Sequence, residues 1–168
     1  MATGNQLSFI ETNQITVKHG VTLFFDGAAR NNPGPAGAGI CIKKDKEILY
    51  EHGFFLGDKT NNQAEYLALI IGLLTVKKYL EPETSLAIYS DSELLIKQMT
   101  GHYRVKNPTL QHLFNVAYLL SKDLHPKFNY ISRVHNKDAD RLANHGIDTH
   151  NVVPEPIKRV LHEYHITF

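Results

Sequence analysis

Four acidic residues have the clearest potential for chemistry in this sequence: Asp26, Glu65, Asp91 and Asp140. Asp26 and Asp91 each follow a short apolar run, and the other two fall near the start of helical patterns, so all four could converge at the carboxyl edge of parallel strands. Clustered carboxylates would repel one another without a cation. Because the chain has one cysteine and no compact pair of histidines, the set favours Mg²⁺ or Mn²⁺ over zinc. The simpler interpretation of each acid alone is a helix cap or a solvated surface charge.

A second polar group, Thr60-Asn61-Asn62-Gln63, precedes a helical pattern. A Thr followed three residues later by a Gln has the form of a capping box, in which both side chains bond the unpaired N–H groups of a helix start. We therefore predict that a helix begins here and that Glu65 lies in its first two turns.

Apolar runs and turn signals predict the elements that must position these residues. A strand at 21–25 should end at the Asp26-Gly27 turn signal, and strand candidates at 38–43 and 48–56 flank a short polar connection typical of an antiparallel hairpin. The remaining patterns predict helices at 60–79, 92–99, 108–120 and 136–145 and strands at 85–90 and 128–132. Three sequential antiparallel strands followed by helix-separated strands predict an α/β fold, with a mixed five-stranded sheet covered by helices.

Composition limits the functional classes. The 168 residues carry 18 Lys and Arg against 17 Asp and Glu, so the chain lacks the overall basic excess of proteins that bind nucleic acid indiscriminately. A lone cysteine, Cys41, excludes an intramolecular disulfide and fits a reducing compartment. The N-terminus lacks a basic start followed by an apolar core, and no run approaches the ~20 apolar residues of a membrane span. We expect a cytoplasmic protein that does not enter membranes.

The two ends of the chain carry weaker patterns. Residues 1–20 are polar and contain no motif, which predicts a flexible N-terminal arm. In the extension 150–168, apolar residues from Ile157 to Tyr164 recur at helical spacing, which predicts a short amphipathic helix that begins at Pro156. Its apolar face could dock on the same domain or contact a partner. No other protein partner is predicted.

Four segments of the chain resemble the successive motifs of type 1 ribonuclease H: FDGAARNNPGPAGAG, TNNQAEYLAL, YSDSELLIKQM and HNKDADRLAN. They occur in the family's order between Val21 and Asn144. Where many members carry a long basic helix and loop, this chain has GHYRVKNPTLQHL, so it is most similar to the compact bacterial and archaeal branch. The resemblance implies a ribonuclease H-like fold, with 21–149 as the catalytic domain. It also implies an endonuclease that hydrolyses the RNA strand of RNA/DNA hybrids and leaves 5′-phosphate and 3′-hydroxyl ends.

On this resemblance, Asp26, Glu65, Asp91 and Asp140 match the family's metal-binding acids one for one. Two Mg²⁺ ions per site are expected, with Mn²⁺ as a possible substitute, and such ions can activate a water and stabilise the leaving oxygen. No protein nucleophile is then required, which agrees with the absence of a Ser-His-Asp or Cys-His signature.

The resemblance also implies residues that contact the substrate. They are Asn32, Thr60, Asn61, Asn62 and Gln63, of which Thr60 matches a residue that binds a phosphate of the DNA strand. Asn side chains suit a 2′-hydroxyl, which both donates and accepts hydrogen bonds. Gln63 stands where Arg is often found, so the resemblance says less about its contact. A purely structural role of the Asn pair in the turn and helix cap is the alternative, and both roles are compatible.

The loop before Asp140 departs from the commonest family pattern. Many members carry a His there that assists proton movement and product release, whereas this chain has Arg133-Val134-His135-Asn136. We favour Arg133 over His135 for the assisting role, because the compact branch has an Arg in that neighbourhood and a guanidinium can pair with a phosphate. Asn136 precedes Asp140 by four residues, hence lies on the same helix face, and could orient the site.

Three other functions are alternatives. A proofreading-type exonuclease usually begins with an Asp-x-Glu pair, whereas this chain has Asp26-Gly27-Ala28. A transposase or integrase core normally uses three acids, and a non-catalytic hybrid-binding module is expected to lose at least one. Activity on duplex RNA as well as hybrids is left open by the sequence.

Overall fold

The computed structural model describes residues 20–168. All but the last residue of the predicted N-terminal arm, 1–20, lies outside the described residues. Within the described part, five strands form one sheet: β1 Val21–Ala29, β2 Gly34–Lys44, β3 Glu47–Lys59, β4 Leu86–Ser90 and β5 Lys127–Tyr130. The strand order is β3-β2-β1-β4-β5. The β1–β2 and β2–β3 pairs are antiparallel and the β1–β4 and β4–β5 pairs are parallel, which confirms the predicted mixed sheet.

The helices of the described residues are α1 Asn61–Val76, α2 Glu93–Met99, α3 Pro108–Lys122, α4 Lys137–Thr149 and α5 Glu155–Glu163. The predicted capping box at the start of α1 is present. Thr60 Oγ1 accepts from the backbone N–H of Gln63 at 3.2 Å, and Gln63 Oε1 accepts from the N–H of Thr60 at 2.8 Å. These bonds satisfy donors that would otherwise be unpaired at the helix end, so they stabilise the start of α1.

The helices cover both faces of the sheet. Side chains of successive strand residues point to opposite faces. A Cβ added to Gly39 would overlap the backbone of Ala139 in α4, whereas the next residue, Ile40, lies against Gly72 of α1. Thus α1 and α4 lie on opposite sides of the sheet, and α3 packs on α1.

The C-terminal segment adds to the core on the α1 side. Its buried apolar side chains join the same cluster as those of β1 and α1: Val153, Ile157, Leu161 and Ile166. The Nε2 atom of His112 in α3 lies 2.8 Å from the backbone carbonyl oxygen of Tyr164, which ties the end of α5 to the domain.

The predicted end of β1 was wrong. The strand does not stop before Asp26 but continues to Ala29, because β2 pairs with it as far as Ala36 opposite Ala29. Asp26 therefore lies inside a strand, opposite Gly39, and not at a strand end. The last long helix also runs beyond the predicted residue 145 to Thr149.

No helix among residues 20–168 is long and apolar enough to cross a membrane. The cytoplasmic location stays a prediction from the sequence.

Candidate active site

β1 and β4 bring Asp26 and Asp91 to the same level of the sheet. The last parallel pair of these strands is Phe24 with Tyr89, and each acid lies two residues beyond it. Asp91 follows the end of β4 directly, whereas Asp26 lies within β1 and is 9% exposed. The carboxyl ends of neighbouring parallel strands are a common place for sites in α/β sheets, and the two carboxylates occupy this edge.

Gly27 allows α1 to bring Glu65 to the same edge. A Cβ at position 27 would overlap the backbone of Ala64 and Glu65, so the helix lies directly against β1. Glu65 is the fifth residue of α1, within its first two turns as predicted. Without a side chain at position 27 the partly buried Glu65 lies close enough to Asp91 and Asp26 for their charges to interact.

Gly27→Ala should move α1 away from β1 and reduce both stability and activity. Overpacking a well-packed contact costs typically about 1–3 kcal/mol, and here the clash is with backbone that cannot rotate away. We expect the free energy of unfolding to fall by about 3 kcal/mol, measured by urea denaturation. Gly72→Ala is the matched control, since the atoms nearest to its added Cβ are the side-chain methyl groups of Leu23 and Ile40 and not backbone atoms. Equal losses in the two variants would contradict this account of Gly27.

Close packing of α4 on β2 positions the fourth acid. A Cβ on Gly39 would overlap the carbonyl oxygen of Ala139, the residue before Asp140. Asp140 lies in the first turn of α4, as predicted, and its Oδ1 accepts a hydrogen bond from Arg133 at 2.9 Å. The neighbouring Asp138 turns away and pairs with Lys43 at 3.1 Å.

Hydrogen bonds from the protein hold the other two carboxylates of the edge. Glu65 accepts from the hydroxyl of Ser92 at 2.5 Å and from the amide of Asn61 at 3.2 Å. Asp91 accepts from the amide of Asn136 at 2.7 Å. Sequence reasoning missed the contact of Ser92, although its place between Asp91 and a helix marked it as the N-cap of α2.

Burial and mutual repulsion oppose ionisation of the cluster. Burial, followed by the negative charges of Asp91, Asp140 and Glu65, raises the pKa of Asp26 to about 8. Burial also raises the pKa of Glu65 to about 7, although the hydrogen bonds from Ser92 and Asn61 lower it. A divalent cation would offset both effects, and carboxylate oxygens are the donors that hard cations prefer.

The four acids lie near one another but do not form a compact ligand group. Among residues 20–168, no three His, Cys, Asp or Glu side chains are placed to hold one metal ion without moving. Glu65, Asp91 and Asp140 each accept a hydrogen bond from a side chain of the protein. The residue types fit a hard divalent cation, because carboxylate oxygens are the donors that such an ion prefers.

Two of the predicted substrate contacts are joined to Glu65 by hydrogen bonds. The side-chain oxygen of Asn32 accepts from the backbone N–H of Asn61 at 3.0 Å, and the amide of Asn61 reaches Glu65. Thr60 and Gln63 are engaged in the capping box, and Asn62 is exposed beside them. The structure thus links Asn32 and Asn61 to the acidic cluster, whereas Thr60 and Gln63 contact the start of α1.

The structure separates the two candidates for the assisting role. Both lie in a single 3₁₀ turn, Arg133–His135, before α4. The guanidinium of Arg133 contacts Asp140, although the side chain is 77% exposed. His135 Nδ1 instead lies 2.9 Å from the hydroxyl of Ser132. Of the two, Arg133 is the one whose side chain contacts an acid of the cluster.

Known proteins are similar to this chain in sequence and in fold. A ribonuclease H of Bordetella avium is 37% identical, with 76% of this chain and 90% of the relative covered. A bifunctional protein of Mycobacterium tuberculosis is also 37% identical over 76% of this chain. This chain spans about a third of that longer relative, namely 35% of its length. A crystal structure of LC11-RNase H1 in complex with RNA/DNA hybrid, a protein isolated from compost, superposes with a TM-score of 0.73. It is 36% identical, and the match covers 77% of this chain and 97% of that one.

A mixed sheet in this order, with carboxylates gathered where its parallel strands end, defines a domain of the ribonuclease H-like fold. The family model described as reverse transcriptase-like matches residues 24–146. The chain belongs to the ribonuclease H family, as its four motifs predicted.

Proposed function

We propose that this chain is an endonuclease that hydrolyses the RNA strand of RNA/DNA hybrids, with 21–149 as its catalytic domain. The observation that carries the proposal is the convergence of Asp26, Glu65 and Asp91, with Asp140, at one edge of the sheet. The likeness to a ribonuclease H1 whose crystal structure contains such a hybrid supports the choice of substrate.

We propose that these four acids hold two Mg²⁺ ions, or Mn²⁺ in their place. Such ions, when bound, activate a water and stabilise the leaving oxygen of the scissile phosphate. The protein contributes the backbone positions of these carboxylates, in β1, after the end of β4 and in the first turns of α1 and α4. Burial of Asp26 makes the cluster electrostatically unfavourable when empty of cations, so the site should favour divalent over monovalent ions.

The Asn side chains near the acidic cluster suit recognition of the RNA strand. Each Asn side chain offers both a donor and an acceptor, which the 2′-hydroxyl can match with its own pair. Asn61 already lies within hydrogen-bond distance of Glu65, so a ribose seated on Asn32, Asn61 and Asn62 would place its phosphate beside the acids. We propose that Thr60 contacts a phosphate of the DNA strand and Gln63 supports it through the capping box.

The proposal is tested with an RNA strand labelled at its 5′ end and annealed to DNA. We expect internal cuts that need Mg²⁺ or Mn²⁺, stop with EDTA and leave 3′-hydroxyl ends. Duplex RNA, duplex DNA and single-stranded RNA serve as parallel substrates. Preferential cleavage of duplex DNA, or release of single nucleotides from one end only, would contradict the proposal.

Arg133→Ala should slow hybrid cleavage more than His135→Ala. Arg133 contacts Asp140 at 2.9 Å, whereas His135 bonds to Ser132, so the first change alone alters the surroundings of an acid. Loss of a group that tunes a metal ligand costs about 10–100-fold, and we expect a loss in kcat of about that size for Arg133→Ala. His135→Ala should stay within about threefold of the wild type, by the same comparison. The opposite ranking would assign the assisting role to His135.

A further inference from the structure

Asn136 lies where three of the four acids are anchored to the fold. Its side-chain amide donates to the carboxylate of Asp91 at 2.7 Å and to the backbone carbonyl of Phe25 at 3.0 Å. Phe25 is the residue before Asp26. The backbone carbonyl of Asn136 accepts from the N–H of Asp140 at 3.1 Å. One residue therefore links the end of β4, the interior of β1 and the first turn of α4.

The orientation of this amide is fixed. Asn136 is 1% exposed, and its Nδ2 atom faces two acceptors. Exchanging the amide nitrogen and oxygen would set oxygen against the Phe25 carbonyl and the Asp91 carboxylate. Within residues 20–168, its Oδ1 is the one buried side-chain oxygen or nitrogen without a hydrogen-bond partner. An unpaired buried amide oxygen lowers the stability of the folded protein. We therefore attribute the burial of Asn136 to the two hydrogen bonds that its amide nitrogen donates.

Capping of α4 does not explain why Asn occupies position 136. Asn136 occupies the N-cap position, where Asn usually accepts a hydrogen bond from the helix start. Here its side chain makes no capping bond, because the amide is turned toward Asp91 and β1.

We propose that Asn136 is a positioning residue that orients Asp91, and aligns it with Asp26 and Asp140, for divalent cation binding. The inference rests on the proposed function. A neutral amide suits this task because it restrains one carboxylate oxygen, Oδ1, without cancelling the negative charge that a cation requires. Partners of this kind, which hold a metal ligand without touching the metal, typically change metal affinity about 10–100-fold when they are removed.

The test compares Asn136→Ala and Asn136→Leu with the wild type and with Asn129→Ala. Leu fills the volume of the amide without its donors. Asn129 is the control because its amide also donates to backbone carbonyls, of Ile88 and Lys127, but contacts none of the acids. Mg²⁺ affinity is measured by calorimetry and by the Mg²⁺-induced rise in Tm, and cleavage is measured across Mg²⁺ concentrations.

We expect both Asn136 variants to bind Mg²⁺ about 10–100-fold more weakly, and to regain part of their kcat at high Mg²⁺ with KM for the hybrid unchanged. Asn129→Ala should lose stability at most, with wild-type Mg²⁺ affinity. In the wild type, the side-chain amide protons of Asn136 should be protected from exchange and should shift in NMR spectra when Mg²⁺ is added.

Three outcomes would overturn the inference. The positioning role is refuted if an Asn136 variant with a native circular dichroism spectrum binds Mg²⁺ within threefold of the wild-type affinity. If neither variant folds, the role is tested in the wild type by NMR. It is refuted if the side-chain amide protons of Asn136 exchange freely with solvent and do not shift when Mg²⁺ is added. A wild-type protein that binds no divalent cation refutes the proposed function itself, and the inference with it.

Discussion

Asp91→Asn is expected to lower the rate of hybrid cleavage about 10³-fold, with little change in fold. A bound cation contributes several kcal/mol to the transition state, and each 1.36 kcal/mol is about a factor of ten in rate. The substitution removes the negative charge at the end of β4, while the amide oxygen can still accept from Asn136 Nδ2 as the carboxylate does now. Single-turnover cleavage of the labelled hybrid at saturating Mg²⁺ measures the effect.

Glu93→Gln is the matched control for this experiment. Glu93 lies two residues further on, in the first turn of α2, and pairs with Lys97 on the surface at 2.7 Å. Exposed pairs of this kind contribute about 0–1 kcal/mol to stability, so we expect near-wild-type cleavage. If Asp91→Asn cleaved the hybrid as fast as Glu93→Gln, the metal site proposed here would be refuted.

Asp26→Asn is expected to stabilise the cation-free protein while abolishing its activity. The pKa of Asp26 rises from 3.8 to about 8 on folding, chiefly through burial and then through the charges of the other three acids. A carboxyl with a raised pKa contributes its full stability below the unfolded pKa and loses it as the pH rises through the folded pKa. The wild type without cations should therefore become less stable between about pH 4 and pH 8, whereas Asn at this position cannot ionise.

The gain should be about 3 kcal/mol near pH 8 and close to zero at pH 4, measured by urea unfolding in EDTA. The full rise in the pKa of Asp26 would correspond to about 6 kcal/mol, and movement of the side chain toward water reduces this figure. Saturating Mg²⁺ should raise the stability of the wild type and not that of the variant. Asp138→Asn, a change at an exposed acid paired with Lys43, should give no gain. A variant less stable than the wild type at pH 8 would contradict the electrostatic account of the site.

The periodic patterns of the sequence were enough to predict the order of the strands and helices. Thr60 and Gln63 predicted the start of α1 to within one residue, because a capping box is a local signal and its bonds form within four residues. The motifs also predicted that Asp91 follows a strand and that Glu65 and Asp140 lie early in helices, as they do. Signals of this kind can be recognised in the sequence because the interacting residues lie close together in the chain.

Features that depend on distant pairing were not predictable. Asp26-Gly27 has the form of a turn signal, yet β1 continues to Ala29 because β2, on the far side of a loop, pairs with it throughout. Gly27 and Gly39 are not turn residues here but contact points for α1 and α4. The bond from Asn136 to the Phe25 carbonyl joins residues 111 positions apart, and no local pattern encodes it.

The packing of α5 on the core bears on which part of this chain is needed for a stable fold. The family match ends at residue 146, yet Val153, Ile157, Leu161 and Ile166 complete the apolar cluster that contains the inner face of α1. A fragment that ended with the match would lose these four buried side chains and would bury a smaller fraction of its surface. In this chain the segment recognised by homology is shorter than the segment that forms the core, so a truncation designed on homology alone should destabilise the domain.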